Sequence, residues 1–140
     1  MKRPIREGLF HIPESNHDKP YLLGSRCSAC GYTSFPKKDV CVRCLRDDTM
    51  KDARFGPLAT LDSFAVMQVA PPGFTPPYLQ GYVKMKPEGP KVFTLITGCD
   101  PKDDALEPGE EMELVVDKIK EDEHGNELLG WKFKPTREKR

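Results

Sequence analysis

The chain has 140 residues, with 22 Lys+Arg against 22 Asp+Glu, 14 Pro, 11 Gly and 5 Cys. Such a length holds one ordinary domain or two small ones with a modest core, and no apolar run approaches the roughly 18 residues of a membrane-spanning helix. The N-terminus, Met1-Lys2-Arg3-Pro4-Ile5-Arg6, has no apolar stretch behind its charges, which argues against a secretory signal. A net charge of zero argues against a dedicated nucleic-acid binder, because that affinity rests largely on phosphate neutralisation.

Residues 1–20 contain Pro4, Pro13 and Pro20 and no sustained period, which predicts an irregular N-terminal arm. The arm holds an apolar cluster, Leu9-Phe10 and Ile12, with no core of its own. The cluster either folds back on the next segment or docks on another chain.

Residues 21–54 hold four of the five cysteines in two pairs, Cys27/Cys30 and Cys41/Cys44. Without a secretory signal, such pairs read as metal ligands in a cytoplasmic protein, not as a disulfide framework. Two thiolates separated by two residues reach one ion because the turn between them points both sulfurs the same way. Gly31, directly after Cys30, suits the positive φ that such a turn needs. Four thiolates close a tetrahedral shell and leave no position for water or substrate, which is the chemistry of a structural zinc site. An S4 set also accepts iron, with zinc the first choice. A ribbon of some 30 residues buries too little apolar surface to fold alone; metal binding, about 10–16 kcal/mol in zinc-finger peptides, supplies the deficit.

The texture changes near Phe55-Gly56-Pro57. Residues 1–54 carry 11 basic and 7 acidic side chains, residues 55–140 carry 11 and 15, and the pattern becomes one of half-buried strands. Leu58–Val69 ends at Pro71-Pro72-Gly73. In Tyr78–Met85, Leu79, Gly81, Val83 and Met85 alternate with Tyr78, Gln80, Tyr82 and Lys84. Lys91–Gly98 follows the turn Pro87-Glu88-Gly89-Pro90. Met112, Leu114 and Val116 mark a fourth strand, and Leu129, Trp131 and Phe133 a fifth, after the turn at Glu123-His124-Gly125-Asn126. Between the third and fourth lies a longer connection, residues 99–110, in which Pro101–Leu106 has room for one helical turn. The fold class is therefore all-β: a small zinc ribbon followed by a barrel over residues 55–140. Five strands is the count of an OB-fold, whose closure removes exposed sheet edges; a two-sheet sandwich has the same strand count.

Several short motifs occur in a familiar order: Gly24-x-x-Cys27-x-x-Cys30-Gly31, Phe35-Pro36-Lys37, Cys41-x-x-Cys44, then Gly56 opening a strand with Ser63-Phe64. Pro71-Pro72-Gly73-Phe74, Pro76-Pro77-Tyr78, Gly109 and Trp131-x-Phe133-x-Pro135 follow. Over residues 21–135 the chain resembles the rubredoxin-like zinc-ribbon/OB-fold family of accessory proteins associated with acyl-CoA enzymes. The resemblance implies a non-catalytic subunit of a heteromeric complex whose thiolase-fold, hydratase-fold or aldolase-fold partner acts on acyl-CoA. The first choice is a thiolase cleaving a β-ketoacyl-CoA with coenzyme A, with an aromatic acyl group like that of benzoylsuccinyl-CoA thiolase among the candidates. It also implies that coenzyme A or acyl-CoA is a ligand of the complex. Family members often carry a longer helical segment before the ribbon, whereas this arm is short and broken by proline.

The other residues fit that division of labour. Cys99 is a lone thiol at a strand end, and His11, His17 and His124 are scattered through loops and turns, so no nucleophile–base pair is legible. In Pro71–Tyr78, four prolines stiffen a loop bearing Phe74 and Tyr78, the type of residue that dominates interfaces. Phe74, Pro77, Tyr78, Tyr82 and Lys84 are therefore the expected contacts with a partner or with acyl-CoA. Lys37-Lys38, Arg43, Lys84 and Lys86 are candidates for its phosphates. The rival reading is an OB-fold that stacks single-stranded nucleic acid on Tyr78 and Tyr82; the acidic barrel half, with Glu111, Glu113 and Asp117 on one strand face, opposes it.

Overall fold

Tyr78–Met85 forms the strand that its alternation predicts: Leu79, Gly81, Val83 and Met85 are buried, while Tyr82 and Lys84 face out. The computed structural model describes residues 2–4, 9–14, 18–72, 74–86, 89–121 and 123–136. Their strands are β1 (Lys2–Pro4), β2 (Phe10–His11), β3 (Tyr21–Cys27), β4 (Thr33–Ser34) and β5 (Met50–Phe55). There follow β6 (Leu58–Met67), β7 (Tyr78–Met85), β8 (Lys91–Ile96), β9 (Glu111–Glu121) and β10 (Glu127–Pro135). His17, Gly73 and the Pro87-Glu88 half of a predicted turn lie outside the described residues.

Strands β6, β7, β8, β10 and β9 pair in that order, and β9 returns to β6 to close the barrel. All these pairings are antiparallel except β8 with β10, where Lys132 faces Leu95 and Phe133 faces Ile96. This is the OB-fold, and its closure excludes the sandwich. A register shift between Leu61 and Ser63 bends β6. Gly81 lies under the bend, where a Cβ would collide with the Ser63 carbonyl oxygen and the Phe64 Cα. The second sheet orders β2, β3 and β4, with β5 also paired to β3. It carries the ribbon.

Leu61, Leu79, Val83, Met85, Met112, Leu114 and Phe133 fill the barrel, and Phe10, Leu22 and Phe55 continue the same core toward the ribbon. The expected irregular arm is corrected on this point. It contributes two short strands: β1 runs parallel to β10, from Lys2 opposite Glu127 to Pro4 opposite Leu129. Phe10 pairs with Leu22 in β2–β3 and is only 7% exposed. Phe10 thus packs into its own chain's core, with Leu9 and Ile12 half-buried against it. Burying an aromatic ring beside a ready sheet edge outweighs the missing period.

Four further expectations gain or change detail. Strand β6 ends at Met67, leaving Val69 81% exposed, and β8 ends at Ile96, before Gly98 turns with a φ of 79°. The connection after β8 contains two single-turn hydrogen bonds, from the Ala105 N–H to the Lys102 carbonyl, within the predicted Pro101–Leu106 turn, and from the Glu110 N–H to the Glu107 carbonyl. In β10 only Phe133 of the three predicted inward residues is fully buried; Leu129 and Trp131 are half-buried. Register against β9 shifts between Leu128 and Leu129, and Trp131 lies just short of the β8 pairing. The indole N–H donates to the Phe93 carbonyl at 3.1 Å instead of following the alternation.

Candidate metal centre and its surroundings

The two cysteine pairs form knuckles of the same construction. In the first, Gly31 N–H donates to the Cys27 carbonyl and Cys27 N–H to the Tyr32 carbonyl, at 2.9 and 2.7 Å. In the second, Leu45 N–H donates to the Cys41 carbonyl and Cys41 N–H to the Arg46 carbonyl, at 2.7 and 2.9 Å. Each turn needs a positive φ four residues after its first cysteine. Gly31 supplies it at 82°, and Leu45 adopts 63°. The cysteine at each start is buried, Cys27 at the end of β3 and Cys41 in the following loop, while Cys30 is exposed and Cys44 half-buried.

All four sulfurs lie within 4.8 Å of one another. Cys27 Sγ is 3.7 Å from Cys44 Sγ, and Cys30 Sγ is 3.5 Å from Cys41 Sγ. A tetrahedral ion with metal–sulfur bonds near 2.3 Å holds its sulfurs about 3.8 Å apart, whereas a disulfide needs about 2.05 Å. The four cysteines are free thiols at distances that fit a shared metal.

The surrounding groups prepare the sulfurs for a cation. The Thr49 hydroxyl, 3.2 Å from Cys27 Sγ, lowers that thiol to about 6 against the opposing effect of burial, with help from the Cys30 and Ala29 amides. Arg43 lowers Cys30, and the thiolate in turn raises the guanidinium. Arg43 Nη2 also donates to the Cys30 carbonyl at 2.6 Å and lies over the Tyr32 ring. Cys44 moves the other way: the Arg46 amide favours its thiolate, but burial and the three neighbouring sulfurs push it up to about 11. A further negative charge on Cys44 is costly beside the neighbouring sulfurs unless a dication is present. With four thiolates bound, a zinc ion has a complete shell and supplies structure.

Residues 18–50 match the family described as "ChsH2, rubredoxin-like zinc ribbon domain", and residues 54–117 match "ChsH2, C-terminal OB-fold domain". The chain belongs to the ChsH2 (DUF35) family. It is 34% identical over 128 residues to a "DUF35 domain-containing scaffold protein" of Methanothermobacter thermautotrophicus, covering 89% of this chain and 91% of that one. It is 29% identical to "Benzoylsuccinyl-CoA thiolase subunit BbsA" of Thauera aromatica, covering 82% of this chain and 76% of the relative. A solved structure titled "Ltp2-ChsH2(DUF35) aldolase" has the same fold, with a TM-score of 0.66 at 24% identity over 84% of this chain and 86% of that one.

In this ChsH2-family chain the five expected contact residues fall on three surfaces. Phe74 and Tyr78 stack at 5.9 Å and, with Pro77, line a groove of about 350 Å³ that Cys99 and Lys132 also border. Tyr82 is on the outer face of β7, 45% exposed, with its ring edge-on to Phe93 at 5.5 Å. Lys84 borders a different cavity, between ribbon and barrel. His11 is bound by Asp18 at 2.6 Å and stacks on Tyr21, and His124 stands in the exposed turn beside Glu123.

Sequence reasoning missed Thr49, Leu45 and Phe93. Thr49 carries no motif. Leu45 was legible in principle: aligning the two Cys-x-x-Cys units puts it where Gly31 stands.

Proposed function

We propose that this chain is a non-catalytic subunit of a heteromeric acyl-CoA enzyme, with a thiolase-fold partner that cleaves a β-ketoacyl-CoA using coenzyme A. The observation that carries the reading is the sulfur-saturated knuckle pair, a site that builds structure and leaves no coordination position for substrate. The printed names of the BbsA relatives supply the thiolase and the coenzyme A thioester. On this reading the chain works in the cytoplasm as an arm (1–20), a zinc ribbon (21–54) and an OB-fold unit (55–140). The groove of Phe74, Pro77 and Tyr78 and the Tyr82 face meet the partner.

The test is to express the chain alone and with a thiolase-fold protein encoded beside it, then assay thiolysis of β-ketoacyl-CoAs, aromatic ones included. Thiolysis is expected only from the co-purified pair, and Phe74→Ala should weaken the pair while leaving this chain folded. Activity in the isolated chain, or failure of the two proteins to associate, overturns the assignment.

A further inference from the structure

Between the ribbon and the barrel lies a cavity of about 490 Å³, inside the size range of small-molecule sites. Four cations border it: Lys38 and Arg43 from the ribbon, and Lys84 of β7 and Lys91 of β8 from the barrel. None of the described residues lining it is Asp or Glu. Tyr32 and Phe35 supply aromatic surface.

Lys84 and Lys91 are directly opposite each other in the β7–β8 register. Like charges in that arrangement destabilise a sheet pair. Lys91 has some relief from Asp62, 3.3 Å away, and Arg43 is anchored to the Cys30 carbonyl. Among the described residues no carboxylate forms an ion pair with Lys38 or Lys84, whereas the neighbouring Lys37 and Lys86 are paired with Asp52 and Glu111. Cations from two halves of the molecule thus converge on one concave site with a net positive lining. An anion with more than one charged group would relieve that repulsion.

We infer that this cleft binds the phosphates of a nucleotide-type ligand, with Lys38, Lys84 and Lys91 as phosphate contacts and Tyr32 or Phe35 as the surface for its base. The inference deepens the functional reading by giving the phosphates of an acyl-CoA a place on this chain. Lys91 and the aromatic pair were not legible as part of that site from sequence.

The experiment is calorimetric titration of the zinc-loaded chain with adenosine 3′,5′-bisphosphate, with adenosine, and with a single-stranded oligonucleotide. Saturable binding of the bisphosphate is expected, at least 10-fold tighter than adenosine and weakened several-fold between about 50 and 200 mM salt. The double variant Lys84→Gln/Lys91→Gln should lose at least 10-fold in affinity, and Lys38→Gln a smaller factor. Lys51→Gln, on an exposed face of β5, should lose none. All four side chains are exposed, and equal melting temperature with one zinc per chain verifies that the variants fold. No saturation at about 1 mM bisphosphate overturns the inference. So does equal binding of adenosine, unchanged binding by the double variant, or preference for the oligonucleotide. The measurement needs no partner: a chain that binds the bisphosphate yet captures no thiolase refutes the functional reading alone, and the reverse result refutes this site alone.

Discussion

Leu45 is the residue at which local chemistry and local geometry disagree. A branched side chain at a φ of 63° costs about 1–2 kcal/mol, and Leu45 recovers little by burial because it is 78% exposed. Gly31 meets the same requirement in the first knuckle without that cost. Leu45→Gly should therefore raise the stability of the zinc-bound chain by roughly 0.5 kcal/mol once the extra backbone freedom of glycine is deducted, and Gly31→Ala should lower it by about 1 kcal/mol. Urea unfolding of both variants checks the pair of signs. Trp131 shows the opposite balance. Its N–H satisfies the Phe93 carbonyl, and its ring takes Phe10 at 6.0 Å and Phe35 at 5.2 Å, both edge-on. Trp131→Phe keeps an aromatic ring but removes the donor of a solvent-accessible hydrogen bond, and should destabilise by about 0.5–1.5 kcal/mol. A smaller loss than Trp131→Ala produces would separate the donor from the packing.

At the scale of elements, the strands most legible in sequence are those with one wet and one dry face. β7 is read to the residue because Leu79, Gly81, Val83 and Met85 meet the core without interruption. β10 is read in place but not in facing, since its register shift and the position of Trp131 depend on strands remote in sequence. The β1 and β2 pieces were illegible: three and two residues hold no period, and they form because neighbouring edges accept them. The cysteine knuckles were legible because their spacing is the chemistry. The cationic cleft was not, because Lys38 and Lys84 meet only through the fold.

An electrostatic link between strands has a definite pH signature. Lys86, just beyond β7, donates to Glu111 at the start of β9 at 2.9 Å, and with a smaller effect of Thr136 it holds the Glu111 carboxyl below its ordinary 4.5. A carboxyl lowered by folding stabilises above its unfolded value and loses that contribution as pH falls through the folded one. Both side chains are 43% exposed, so the contribution is screened and small. Carbon-detected NMR titration should place Glu111 below 4.5, and Lys86→Met should return it toward that value. Titration of Glu111 unchanged by Lys86→Met would contradict the assignment.

For the whole molecule, the ribbon and barrel share one core through Phe10, Leu22 and Phe55. Stripping the metal should therefore reach beyond the knuckles. Loss of about 3 kcal/mol would lower the melting temperature by roughly 10 °C in a chain of this size. Trp131, the single tryptophan, should redden in emission as Phe35 leaves it. An unchanged barrel transition and an unshifted spectrum after chelation would mean that the two units are thermodynamically independent.

The position of Trp131 also orders events during synthesis. Both aromatic rings that grip it come from the first quarter of the chain, whereas Trp131 itself is translated near the end. A nascent polypeptide can assemble its thiolate cage while the ribosome is still extending it, but Phe10 and Phe35 wait for the last strand to arrive. A chain cut short before residue 131 would yield a metal-loaded fragment whose Phe10 and Phe35 lack their Trp131 contact and whose barrel is unclosed, a ready substrate for quality-control proteases.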